Sequence, residues 1–230
     1  MDDLQRFAAL TTAHVADACV RERVPVRCAA LTPLAPGMRL AGRVLPARHT
    51  GSVDIFLEAF EHAEPGDVLV VDNGGRTDEA CVGDLVVLEA QAAGLAGVLI
   101  WGLHRDTADI RAIGLPVFSL GALPTGPLRL DPRADHALDR ANLAGHPLTR
   151  ADVVLADDDG VLAIPAAAAP TLLDRAESIR DTERDQATRI RAGTTLRDQL
   201  TFRAYLAHRQ HTPTHTFRDH LRTTGGAIEE

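Results

Sequence analysis

The chain has 230 residues, 45% of them hydrophobic and 24% charged, values of an ordinary globular protein long enough for one sizeable core. A net charge of −8 speaks against nucleic acid or an anionic membrane surface as the main partner. All 24 basic residues are arginine; with no lysine, a Schiff base, a pyridoxal phosphate anchor and a P-loop lysine are excluded, and carbanion chemistry has to rest on a metal or on arginine.

Aromatic residues make up only 3%, so the core has to be aliphatic. Cys19, Cys28 and Cys81 are odd in number and form no Cys-x-x-Cys, which predicts reduced thiols and a cytoplasmic protein. The first residues lack a basic stretch followed by an apolar one, so no secretory signal is expected. No apolar run approaches the ~20 residues that span a bilayer.

In chain order, residues 12–20 read as a helix with Val15, Ala16 and Cys19 on one face. Pro25, Pro33, Pro36 and Gly37 then mark a loop region. Residues 39–47 read as a strand and 52–63 as a helix. The apolar run 68–71 predicts a strand buried on both faces, ended by the turn Asp72-Asn73-Gly74-Gly75. Residues 83–93 are helical, with Leu85, Leu88 and Ala92 in register; Gly94 stops the helix and 97–101 is the next buried strand. Strand, helix and strand make a βαβ unit with parallel strands. Residues 116–120 add a strand, and 152–156 with 161–164 a hairpin with an acidic tip. Long helices are expected over 165–191 and 196–207, followed by a polar tail. The whole reads as one α/β domain over 1–195, with a C-terminal helical extension and tail over 196–230.

In open α/β sheets ligands bind beyond the carboxyl ends of the strands. Two loops qualify: the one leading into Gly83-Asp84-Leu85-Val86, and Gly102-Leu103-His104-Arg105-Asp106. A helix N-terminus and an arginine fork suit a carboxylate or phosphate, and an aspartate suits Mg²⁺ or Mn²⁺. The plainer alternative has Asp84 capping its helix and Arg105 and Asp106 forming a surface ion pair.

Asp84, twenty intervening residues and then Arg105-Asp106 resembles the D-x20-R-D pattern of the RraA-like family, which includes the 4-hydroxy-4-methyl-2-oxoglutarate aldolases and a regulator of ribonuclease activity. Gly66-Asp67, Asp72-Asn73-Gly74-Gly75, Gly94-x-x-Gly97, Asp157-x-Asp159-Gly160-Val161 and Thr12-x-x-Val15-x-Asp17-Ala18 extend the resemblance over about residues 10–195. It implies a compact RraA-like α/β sandwich around the parallel βαβ unit, assembled as a homotrimer or as a hexamer of two trimers. The implied activity is that of a metal-dependent aldolase, a lyase acting on 4-hydroxy-2-oxo acids through a pyruvate enolate, with decarboxylation of oxaloacetate as a related reaction. By the same resemblance Asp106 holds the divalent metal, Arg105 and the amides of Gly83, Asp84, Leu85 and Val86 hold the substrate carboxylate, and Asp84 orients a metal-bound water. A glutamate from the adjacent subunit's long helix completes the site, and Glu183 falls nearest the expected spacing. The alternative, set by the family's namesake, is a non-catalytic regulator that binds another protein.

Trp101-Gly102 stands where the family commonly has Asp-Gly, and His104 directly precedes Arg105. His104 is a candidate general acid/base or substrate contact, or else an incidental polar loop residue. No His-Glu-x-x-His, Gly-x-Ser-x-Gly or Gly-x-Gly-x-x-Gly is present, which leaves zinc protease, serine hydrolase and dinucleotide readings without support. Cys81 reads as a small core thiol.

Overall fold

Residues 68–71 are apolar without interruption, and the strand they form is buried on both faces. In the computed structural model, which describes residues 6, 7 and 9–224, the chain runs α1 (Thr12–Arg21), β1 (Arg27–Ala29), β2 (Thr32–Pro33), β3 (Leu40–Arg48), α2 (Asp54–Phe60), β4 (Val68–Asp72), β5 (Ala80–Val82) and α3 (Asp84–Ala92). There follow β6 (Gly97–Trp101), β7 (Leu103–His104), α4 (Thr107–Ile113), β8 (Val117–Ser119), β9 (Ala141–Leu143), β10 (His146–Leu148), β11 (Asp152–Asp157) and β12 (Gly160–Pro165). Four helices end the described chain: α5 (Ala169–Arg191), α6 (Leu196–Gln199), α7 (Phe202–His211) and α8 (Phe217–Thr224). Two compact units divide within α5, Met1–Leu173 and Asp174–Glu230. Among the described residues no helix is long and apolar enough to cross a membrane.

The first unit holds an eight-stranded mixed sheet in the order β1-β12-β11-β3-β4-β6-β8-β2. Strands β3, β4, β6 and β8 are parallel, as the βαβ reading of the centre requires. The flanking strands run antiparallel, including the β11–β12 hairpin that closes at Asp157 and Gly160. Alternation along β4 sorts its side chains. Leu69 and Val71 pack with Ile55, Phe56, Val87 and Ile110 of the three short helices. Val68 and Val70 pack on the other face, with Leu143 and Leu148 of the β9–β10 ribbon. Each face buries a continuous apolar layer, the dominant stabilising contribution in a two-sided sheet of this kind.

Strand register brings two loops together. Val71 lies opposite Ile100 and Asp72 opposite Trp101, so the chain leaves β4 and β6 at the same level of the sheet. The loops that follow these strands are therefore neighbours.

Several short elements lie outside the sequence expectations: β5 and β7, which pair in parallel, the β9–β10 ribbon, α4 and α8. The strands and α4 are too brief to display a hydrophobic period; α4, for example, buries only Ile110. The single helix expected at 196–207 is two, because Thr201 takes a left-handed φ of 48° and Leu200 turns inward. In the second unit Phe202, Tyr205 and Phe217 form an aromatic group, with the Arg209 guanidinium 5.2 Å from the Tyr205 ring centroid.

Gly42 of β3 marks the tightest backbone approach in the sheet. A Cβ there would stand 2.3 Å from the Gly66 carbonyl oxygen and 2.8 Å from Val68 Cγ2. Gly42→Ala is therefore expected to destabilise the first unit by ~2 kcal/mol, an overpacking cost that chemical denaturation would read directly. An unchanged denaturation midpoint would show that the 66–68 segment yields freely.

Candidate active site

The turn after β4 is closed by Asp72, whose carboxylate accepts from the Gly74 amide at 2.9 Å and the Asn142 amide at 3.1 Å. The chain then returns as β5 beside β7, with Ala80 paired to Leu103 and Val82 to His104. One residue further on, the Arg105 amide donates to the Val82 carbonyl at 2.9 Å. That bond lays Arg105 and Asp106 beside Gly83. A Cβ on Gly83 would stand 2.6 Å from Asp106 Oδ2 and 3.3 Å from Arg105 Nε, so any side chain there would displace the Asp106 carboxylate. On its far side the Arg105 guanidinium passes close to Gly126, whose imagined Cβ lies 3.1 Å from Nη1.

Gly83 is the N-cap of α3, and Asp84 occupies the first helical position. Asp84 is thus not the cap; its charge complements the positive end of the helix. Asp106 is the N-cap of α4, in the left-handed conformation with φ 59°, yet its side chain makes no capping hydrogen bond. A residue type well suited to capping leaves its carboxylate unspent. Arg105 Nε stands 3.3 Å from Asp106 Oδ2, with the side chains 50% and 36% exposed. At that exposure an ion pair contributes little to stability, so the fold alone does not account for the arrangement.

These groups open on a cleft of about 330 Å³, floored by β5 and the start of α3 and walled by His49, Val53, Arg105 and Pro127. The size suits a small organic acid. A second cleft of about 380 Å³, bordered by Arg48, Asn73, Arg76 and Arg129, adjoins it, and His49 belongs to both.

Not every residue singled out in the sequence faces the cleft. His104 is buried, with Nδ1 2.8 Å from Ser119 Oγ and Nε2 2.9 Å from Thr107 Oγ1. Both ring nitrogens are occupied, and burial pushes its pKa down. It braces the Arg105–Asp106 turn from within. Cys81 borders the cleft, but burial pushes its thiol up to about 12, and Sγ sits 3.6 Å from the Leu103 carbonyl oxygen. That thiol is unreactive near neutrality. Glu183 lies exposed on α5, in the second unit.

A buried polar chain beside the cleft went unread in the sequence. Arg129 donates to Glu79 from Nη2 at 2.8 Å and from Nε at 3.1 and 3.2 Å, and Nη2 also donates to Asn73 Oδ1 at 3.0 Å. The same Oδ1 is 2.9 Å from His49 Nδ1. The partners come from four separate segments, so no local spacing signals them. The one hint was Asn73, inside the turn motif 72–75.

The donor set bears on a metal. Among the described residues no three His, Cys, Asp or Glu side chains gather into a cage. Asp106 instead offers a single part-exposed carboxylate, paired only with Arg105 and set against Gly83, which lines the cleft with Asp84. This fits Mg²⁺ or Mn²⁺, which are commonly held by one or two carboxylates and complete their shells with water and substrate oxygens.

Comparison with known proteins bears on the family and the fold. The family model described as RraA-like, Aldolase/RraA, matches residues 12–163. Protein DlpA of Legionella pneumophila is 27% identical over 201 residues, covering 84% of this chain but 32% of its own length, so the chain spans about a third of that relative. A Halalkalibacterium halodurans protein provisionally named 4-hydroxy-4-methyl-2-oxoglutarate aldolase is 26% identical over 185 residues, covering 77% of this chain and 83% of its own. Among solved structures, Streptomyces coelicolor RraAS2, described as an unusual member of the RNase ES inhibitor RraA family, superposes with a TM-score of 0.69 at 23% identity, covering 81% of this chain and 96% of its own; it speaks for the fold alone. With two thirds of its length matched by the family model and the fold in agreement, the chain belongs to the RraA-like family.

Proposed function

We propose that the protein is a divalent-metal-dependent carbon–carbon lyase that cleaves 4-hydroxy-2-oxo acids such as 4-hydroxy-4-methyl-2-oxoglutarate and decarboxylates oxaloacetate. The observation that carries this reading is the closure of Arg105 and Asp106 on Gly83 at the start of α3. Arg105 and the amides of residues 83–86 bind the substrate carboxylate, with the planar guanidinium supplying a forked grip. Asp106 would hold the metal, and Asp84 would orient water beside the substrate. When bound, the metal supplies Lewis-acid polarisation of the 2-oxo group. Arg105 also steadies the charge that develops as the carbon–carbon bond breaks. A purely regulatory protein has no use for a part-exposed carboxylate and an arginine fork converging on one glycine.

Exposed apolar side chains border the cleft. Val53 and Leu57 stand one turn apart at α2, and Leu85 and Leu88 one turn apart on α3, each at least half exposed. Val53 and Leu85 themselves line the cleft. Such stripes are suited to cover by another subunit; the family resemblance makes that assembly a homotrimer (or a pair of trimers), with Glu183 of a neighbouring copy completing the site.

Pyruvate release from a panel of 4-hydroxy-2-oxo acids and oxaloacetate should require Mg²⁺ or Mn²⁺ and disappear in Asp106→Ala without loss of the folded state. Arg105→Lys should raise KM and lower kcat together. Failure of the wild type on the whole panel with metal would turn the assignment toward the regulator. Gly83→Ala is a sharper test, because it removes no functional group. It should cost at least about tenfold in kcat/KM by displacing Asp106, while the thermal midpoint stays within about 4 °C. Full activity in that variant would show that Asp106 need not approach the helix start. For the assembly, inactive Arg105→Ala and Glu183→Ala proteins refolded together should recover part of the activity. A monomer by sedimentation, or an active Glu183→Ala variant, would end the shared-site reading.

A further inference from the structure

We propose that His49 is the general base of this cleft, held as the neutral tautomer with Nε2 open to the substrate by a relay from Glu79 through Arg129 and Asn73. This rests on the lyase reading above and adds the proton-transfer group that it leaves unnamed.

The tautomer follows from what each side chain can do. A guanidinium only donates, so the Asn73 atom 3.0 Å from Arg129 Nη2 has to be the amide oxygen. This orientation leaves Asn73 Nδ2 buried without a partner, but the reverse would set two donors against each other. With Oδ1 fixed as acceptor, His49 Nδ1, 2.9 Å away, has to carry the proton. Nε2 is then the lone-pair nitrogen. It has no hydrogen-bond partner among the described residues and is not sealed from solvent.

The ring is well fixed. It stacks on Phe56 with centroids 5.4 Å apart and planes 8° from parallel, and the His49 amide donates to the Asp72 carbonyl at 2.9 Å. The residue is 5% exposed and borders the cleft that also holds Gly83, Asp84 and Arg105. Burial pushes its pKa below the ordinary histidine value. Around it stand Arg129, Glu79 and Asp54, with Arg48, Asp72, Arg76 and Asp131 about the adjoining cleft and Asp84 and Arg105 about its own. The ring is therefore uncharged and able to accept a proton near neutrality.

In the cleavage direction Nε2 takes the proton of the substrate's 4-hydroxyl. The O–H electron pair becomes the second bond of the new carbonyl, the C3–C4 bond breaks, and its pair passes to the pyruvate fragment as an enolate. The imidazolium then returns the proton to C3, releasing pyruvate and restoring neutral His49. No outside oxidant or reductant is needed.

The test uses the metal-loaded full chain. His49→Gln should lower kcat by about 100-fold or more with KM changed far less, and added imidazole should restore part of the activity of His49→Ala. Asn73→Asp places a carboxylate at Nδ1 and favours the imidazolium, so the acid limb of kcat/KM should move to higher pH. Nitrogen-15 NMR of the wild type, assigned by the signal lost in His49→Gln, should show the Nδ1–H tautomer and a shift at Nε2 on adding oxalate. A wild type that is inactive on every substrate removes the lyase reading and this proposal with it. An active wild type with His49→Gln equal to it, an acid limb unmoved in Asn73→Asp, or an Nε2–H tautomer overturns the assignment of His49 and leaves the lyase reading in place.

Discussion

Much of the site depends on one short parallel pairing, β5 against β7, and on the hydrogen bond from the Arg105 amide to the Val82 carbonyl that ends it. Without that bond the two loops would share only a level in the sheet. With it, the start of α3 and the Arg105–Asp106 turn are held within a side chain's breadth of each other. Gly83 suits that approach, since a Cβ there would push the Asp106 carboxylate aside. The central strands set the stage by bringing β4 and β6 out in register, and the two apolar layers give that register its rigidity.

Locally, the fold gains little from the groups that converge there. Arg105 and Asp106 are largely solvated, and the Asp106 backbone takes a conformation that is costly outside glycine and a few polar residues. Asp106 caps no amide. Strained or uncommitted groups on rigid supports are a recurrent feature of sites shaped for ligands rather than for stability. The neighbouring buried chain of Glu79, Arg129, Asn73 and His49 is the opposite case. Its members are well satisfied apart from the Asn73 amide nitrogen and His49 Nε2, and they tie the 126–131 segment to the residues beside the cleft.

The long elements were legible from their apolar runs and periods, although the period read in α3 (Leu85, Leu88, Ala92) marks its exposed face while Val86, Val87 and Ala90 are buried. The uninterrupted run 68–71, the strand Gly97–Trp101 and the acidic-tipped hairpin all stand where the pattern placed them, and the D-x20-R-D spacing led to the right family. What stayed hidden was short or long-range. β5 and β7 have three residues and two, too few to show a period, though they position Arg105. Arg129 reaches Glu79 across 50 residues and Asn73 across 56, contacts that no local spacing encodes. His104 drew notice by adjacency to Arg105, but side chains alternate along β7, and its ring turns inward to Ser119 and Thr107. His49, in the connection between a strand and a helix, carried no sequence signal of its own and is the histidine that borders the cleft.

Crystals soaked with Mn²⁺ and pyruvate would locate the manganese through its anomalous signal. If the Asp106 carboxylate and the Arg105 fork together receive a metal and a 2-oxo acid beside Gly83, a single strong peak stands against Asp106, with the pyruvate carboxylate on Arg105 and on the amides of residues 83–86. Manganese bound elsewhere, or pyruvate seated away from Arg105 with Asp106 unliganded, would rule that arrangement out.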